Sequence, residues 1–451
     1  MHLARSLKQS NCDIRLLWGS VFMRMASYGL TNQVLTLYLE SLGVSETNIG
    51  LFMTLTLVGD TIISYFLTWY ADHIGRRLVM IIGTLMMITS GLTFAFCSNF
   101  MILLIAAIFG VISPSGDETG PFKSVEEASI AHLTPHNHRP EIFAFHGLFA
   151  TAGAALGSLF CGIIVDHLHL NLGWSTENSY RFIFIVYSGI AVVKFVFMIF
   201  LTEKCEVYYD DNELSDDSTE ESSLLDENVY GEESSNAVRG SNGKLKFSGL
   251  SPQTKHYLSR LLVIFMLDSL GYGFMPSSWV VYYFKKVFKV TSTGLGVLFF
   301  LTNSIDSISS LPSAYFAKIL GPVKAILFTQ APSAIFFILI AFTNKFIAAS
   351  VCLLLYFSTS TMDVVPRQVL LTSIMPNNEL TKAMGIVNIG KTFARCVGPI
   401  FTGKLAEKKL LHYAFVINGS CVLLADLILA TNFLQLDKEI LKKQKIDYNI
   451  Q

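Results

Sequence analysis

Apolar runs about 20 residues long, enough for a helix to cross hydrocarbon about 30 Å thick, alternate with short polar breaks along most of the chain. Six runs precede residue 203, at 14–39, 48–69, 78–98, 100–121, 142–166 and 181–202. Six more follow residue 255, at 257–284, 293–316, 324–343, 346–375, 382–404 and 411–434. This pattern predicts an all-α membrane protein with 12 transmembrane helices in two six-helix bundles. It divides the chain into a tail at 1–13, a first bundle at 14–203, a polar linker at 204–255, a second bundle at 256–434 and a tail at 435–451.

Charge sharpens this division. Between 48 and 69 the one charged side chain is Asp60, and from 78 to 96 there is none. Between these runs stands Tyr70-Ala71-Asp72-His73-Ile74-Gly75-Arg76-Arg77, a short basic turn that the positive-inside rule assigns to the cytoplasm. Between Lys204 and Arg239 there are twelve Asp or Glu and no Lys or Arg, so this linker cannot bury a core and is expected to be disordered. Counting spans from the turn puts both tails and the linker in the cytoplasm as well. The start, with Arg5, Lys8 and Arg15 ahead of a long first span, reads as a cytoplasmic N-terminus without a cleavable signal.

Composition removes other classes. Of 451 residues 52% are hydrophobic and 15% charged, and the mean hydropathy is +0.50, which excludes a soluble globular domain. Net charge is −1, with no basic tract for nucleic acid. The seven cysteines form no C-x-x-C pair, so neither a disulfide framework nor a zinc site is implied. His132, His136 and His138 match no metal-ligand spacing and read as a solvated loop. No catalytic motif or phosphate-binding glycine loop is present, so neither an enzyme, a primary pump nor a cofactor is expected.

The turn Asp72-x-x-Gly75-Arg76-Arg77 between the second and third spans resembles the signature loop of the major facilitator superfamily of secondary transporters. It departs from that loop at Thr68 and His73, where the family has Gly and a basic residue. The resemblance implies alternating access by two rocking bundles, with Asp72, Gly75, Arg76 and Arg77 governing conformational exchange. An internal repeat supports it. An offset of 246 places Gly50 on Gly296, Asp60 on Asp306 and Gly75 on Gly321, and an offset of 241 places Gly157 on Gly398 and Asp166 on Glu407. Two related halves put a solute path at their interface. The glycines of the fifth and eleventh spans allow close helix packing, and loosely resemble the Gly-Pro signature of antiporters in the same superfamily.

Ionisable residues within spans are costly and mark functional candidates. Arg24 and Asp60 are expected at similar depth, which makes Asp60 the leading proton-coupling candidate with Arg24 as its partner. Asp306, its repeat equivalent, is the runner-up. Asp268, Lys391 and Arg395 complete the candidate cavity set. The end of the fourth span carries Asp117, Glu118 and Glu126 among two prolines and two glycines, which predicts a broken helix. Glu126 aligns with Arg367 in the repeat, so these opposite charges are candidates for a gate between the halves.

In the linker, Glu220 to Leu225 resembles an acidic dileucine sorting signal, with Glu220, Leu224 and Leu225 as its readable residues. It would recruit sorting adaptors and route the protein to vacuolar or endosomal membranes, the plasma membrane being the alternative. The expected function is a monomeric secondary transporter of a small solute, coupled to protons. The competing reading is a membrane sensor that binds a ligand on the same fold without transporting it.

Overall fold

The structure is a computed structural model and describes residues 11–110, 112–114, 121–134, 138–206, 251–309 and 312–437. Every regular element among the described residues is helical, and they form twelve spans. In the first bundle these are Cys12–Ser41, Glu46–Ile74, Arg76–Phe96, the pair Phe100–Gly110 and Pro121–Leu133, Arg139–Asp166, and Thr176–Ile199. In the second bundle they are the pair Pro252–Phe274 and Ser277–Phe288, the pair Ser292–Ser309 and Ser313–Leu320, Pro322–Ile340, the pair Phe346–Ser360 and Val364–Ile374, Asn377–Glu407, and His412–Phe433.

Local chemistry sets the boundaries. The seventh span begins at Pro252, inside the segment expected to be linker, because Ser251 accepts the Thr254 N–H (3.3 Å) and proline fits the first helical turn. It is interrupted at Pro276, which has no N–H to give. The fourth span is interrupted as the sequence predicts, but Asp117 and Glu118 lie outside the described residues. So do Glu220, Leu224, Leu225 and the tail beyond residue 437.

Gly75 (φ 104°) and its repeat equivalent Gly321 (φ 85°) make the sharp turns into the third and ninth spans. A carboxylate from the end of the same bundle caps each following helix. Glu206 accepts the backbone N–H groups of Arg76 (2.7 Å) and Arg77 (3.0 Å). Asp437 accepts those of Val323 (2.8 Å) and Lys324 (2.9 Å). These anions sit where the helix dipole favours them.

Asp13, Gly75, Glu206, Gly321 and Asp437 thus mark one end of the molecule, the Gly75 face. Asp166, Ser292 and Glu407 mark the other, the Asp166 face. Near the Asp166 face one continuous core joins the bundles, with Tyr38, Phe52 and Phe184 of the first against Trp279, Phe337 and Phe415 of the second. Toward the Gly75 face the core splits in two. Leu17, Val79, Ile130 and Met198 belong to the first bundle's share, and Leu261, Ile326, Leu370 and Phe433 to the second's. The outer faces carry exposed Phe96, Phe109, Phe342 and Ile347, as helices facing lipid require.

Candidate functional site

Backbone contact fixes how the charged residues are presented. Gly157 packs so closely on the first span that a Cβ would stand 2.1 Å from the Ala26 carbonyl oxygen, and one on Gly398 would stand 2.0 Å from the Gly273 carbonyl carbon. The fifth span is therefore wedged against the first, and the eleventh against the seventh, in the same way. Arg24 and Asp268 each lie five residues before the glycine, Gly29 or Gly273, at which these helices meet.

In the first bundle Glu126 is fully buried and holds three partners. Ser20 Oγ donates to its Oε1 at 2.7 Å, Arg24 Nη2 to its Oε2 at 2.8 Å, and Lys194 Nζ stands 3.3 Å from Oε1. Lys194 itself is 0% exposed. His146 of the fifth span lies within electrostatic reach.

In the second bundle Arg367 occupies the repeat position of Glu126. Its Nη1 donates to Asp268 Oδ2 at 2.7 Å, its Nε pairs with Asp363 Oδ2, and its guanidinium lies 5.5 Å from the Phe265 ring centroid. Gln330 Nε2 donates to Asp363 Oδ2 at 2.7 Å. Asp426, on the span equivalent to that of Lys194, lies within electrostatic reach of Asp268, Arg367 and Asp363.

The clusters are therefore inverted copies. A carboxylate sits between two cations on spans one, four and six, and a cation between two carboxylates on spans seven, ten and twelve, with Asp363 added. This revises two expectations. Arg24 is held by Glu126, a partner that the depth match does not suggest, while the second span, which carries Asp60, packs along the eleventh: a Cβ on Gly50 would stand 2.4 Å from the Pro399 carbonyl oxygen. Asp60 is buried on that side, within electrostatic reach of Cys396, and its Oδ1 accepts from Ser64 at 3.5 Å. Glu126 and Arg367 also do not form a gate with each other, since each is enclosed by its own bundle.

The remaining candidates are placed as follows. Lys391 and Arg395 are half-buried on the eleventh span, and Asp306 is half-buried on the eighth, one residue before Ser307, whose hydroxyl accepts from Thr151 of the fifth at 3.1 Å. The side chain of Asp72 lies outside the described residues. Arg76 and Arg77 bond within their own bundle, to the carbonyls of Ala128 (3.2 Å) and Ile199 (2.7 Å).

Sequence reasoning passed over Lys194, His146 and Asp426. A signal was available, because Asp426 is the one acidic or basic residue, histidine aside, in the run 411–434.

The bundles join at the Asp166 face through polar contacts. Asp166 accepts the N–H groups of Ser292 (3.0 Å) and Thr293 (2.6 Å), so the fifth span caps the eighth. Its repeat equivalent Glu407 accepts from the Thr47 hydroxyl, tying the eleventh span to the second. Ser278 Oγ lies 2.8 Å from Asn32 Oδ1 and donates to the Pro114 carbonyl at 3.0 Å, while Lys286 pairs with Glu40 at 2.5 Å.

A model of the Major Facilitator Superfamily matches residues 17–244 and 261–446. An uncharacterised membrane protein of Saccharomyces cerevisiae is 50% identical over 448 residues, 97% of each chain. Among solved structures, a D-xylose-proton symporter superposes with a TM-score of 0.65 at 17% identity, over 92% of this chain and 95% of that one. The nucleoside transporter NupG does so with a TM-score of 0.67 at 12% identity, over 93% and 99%. The chain belongs to the major facilitator superfamily, a family of multi-pass membrane transporters.

Proposed function

We propose that this transporter is a secondary active carrier of a small solute, coupled to protons, which works by alternating access with its Gly75 face toward the cytoplasm. The observation that supports this most is the pair of inverted, buried charge clusters. Bundles that needed only to hold together would be as stable or more stable with well-packed apolar groups in those places. Ionisable groups retained there suit a cycle in which protonation and ion pairing change together. One neighbour in fold, the D-xylose-proton symporter, bears such coupling in its name. In this reading Asp60, Asp306, Lys391 and Arg395 line the solute path. Arg76 and Arg77 orient the Gly75 face, and Asp72 acts with them in conformational exchange.

The test uses purified protein in vesicles holding a pH-sensitive dye, with sugars, nucleosides, amino acids and organic cations offered one at a time. Solute entry accompanied by a change in internal pH is the expected result. Counterflow exchange without proton movement would remove the coupling. Ligand binding without exchange would remove transport and leave a sensor.

A further inference from the structure

The second bundle's cluster holds an excess of negative charge, where the first bundle's holds an excess of positive charge. Asp268 and Asp363 are both bound to Arg367. Asp426 adds a third carboxylate against that single guanidinium, and it is only 5% exposed. Its Oδ2 has no hydrogen-bond partner among the described residues, and neither has Asp268 Oδ1. An ionised carboxylate is purely an acceptor, so two such oxygens in one dry cluster lack a donor. Leaving a buried charge unpaired costs several kcal/mol. One proton on the cluster eases both faults, neutralising one buried charge and turning one unmet acceptor oxygen into a hydroxyl.

The neighbouring helices supply no better remedy. The seventh span contributes Tyr272 besides Asp268, the tenth Tyr356 besides Asp363 and Arg367, and the twelfth Cys421 besides Asp426. Lys391 of the eleventh span is within electrostatic reach of Asp363. From the ninth span comes Gln330, which is uncharged and already bound to Asp363. In the first bundle the corresponding sixth span carries Lys194, and the oxygens of Glu126 are met by Ser20, Arg24 and Lys194.

The geometry points to Asp426, on the peripheral twelfth span, as a proton-binding site of this transporter, loaded while Arg367 is held by Asp268 and Asp363. When Arg367 turns to Asp426, the carboxyl O–H bond breaks, its electron pair stays on oxygen, and the proton passes to water in the solute path. The new carboxylate is then paired by the guanidinium. The use of this proton in transport rests on the coupled reading above; its presence on Asp426 does not.

Infrared difference spectra of the purified full-length protein, taken between about pH 6 and about pH 9, above the range where an ordinary carboxyl titrates, read the site without any solute. The wild type is expected to show a protonated-carboxyl carbonyl band that is lost on raising the pH. Asp426→Asn should lack it, whereas Asp60→Asn and Asp306→Asn should keep it. Should Asp426→Asn fail to fold, Asp426→Glu serves instead and should move the band in frequency. A band that survives Asp426→Asn, an unmoved band in Asp426→Glu, or no band in the wild type overturns the assignment. If the band behaves as expected but vesicle uptake is independent of protons, the site stands and the coupled reading falls.

Discussion

Asp166→Asn should release the closed end of the molecule. The Asp166 carboxylate binds two backbone N–H groups at the start of the eighth span, at 3.0 and 2.6 Å. A hydrogen bond to a charged group contributes about 1.5–3 kcal/mol net, and the interaction of a charge with a helix end adds about 0.3–1 kcal/mol. Asn keeps one acceptor oxygen and loses the charge and the second acceptor, so roughly 1.5–3 kcal/mol is removed from the closed state. Once the bundles part, water meets both partners and the substitution has little further effect. The equilibrium should therefore move toward opening at this face by about 10- to 100-fold, at 1.4 kcal/mol per tenfold.

A native reporter lies beside the contact. Cys161 is buried and lines a small cavity with Gln33, Tyr180, Ser292 and Leu295, so parting the fifth and eighth spans uncovers it. In a variant keeping Cys161 and lacking the other six of the seven cysteines, Asp166→Asn should raise the maleimide rate by about that factor. Glu407→Gln should raise it less, because Glu407 is exposed and already hydrated. An unchanged Cys161 rate in Asp166→Asn at unchanged thermal stability would refute the reasoning.

Glu126→Gln removes the carboxylate that stands between Arg24 and Lys194, and breaking a buried pair in this way costs about 3–5 kcal/mol. A clear drop in melting temperature is expected, partly recovered by adding Lys194→Gln, and a thermal-shift series checks both. Burial, with the Glu206 and Asp13 carboxylates nearby, pushes the Cys205 thiol up to about 11. At about pH 8 it should react with iodoacetamide roughly 100-fold more slowly than an ordinary thiol, and Glu206→Gln, which loosens the cap on the third span, should speed it; peptide mapping after timed alkylation reads both.

What the sequence made legible was the part written as periodicity. Span number and the two halves follow from where apolar runs stop, and the break in the fourth span from the prolines, glycines and carboxylates at its end. The repeat also aligned Asp166 with Glu407 and Glu126 with Arg367. It could not say what these pairs touch, because partners across a bundle depend on the angle at which each helix faces its neighbours. Depth matches Arg24 with Asp60, and depth alone does not reveal that Glu126 holds Arg24. The second span turns Asp60 toward the eleventh, where Gly50 and Gly403 let the backbones meet, and the first span turns Arg24 toward Glu126. Asp426 stands in plain view as the one acidic or basic residue, histidine aside, of its apolar run, and Lys194 as the one charge in the interior of its own. Their weight comes from three-body arrangements with Glu126 and Arg367 that a one-dimensional reading does not contain.

The carboxylates at the two faces obey one rule with opposite consequences. At the Gly75 face Glu206 and Asp437 each cap a helix of their own bundle, and there the core is already divided between the bundles. At the Asp166 face Asp166 and Glu407 each bind the first turn of a helix in the other bundle, and there the core is continuous. A rocking motion that opens the Asp166 face must break the second pair of contacts and can leave the first pair intact. Each bundle then moves as a body whose helix ends at the Gly75 face stay capped. Because the released helix ends meet water, opening costs only the difference between carboxylate and water as acceptor, far less than burying either group unpaired. The fold thus places its exchangeable bonds where the bundles separate and its permanent ones where each must hold itself together.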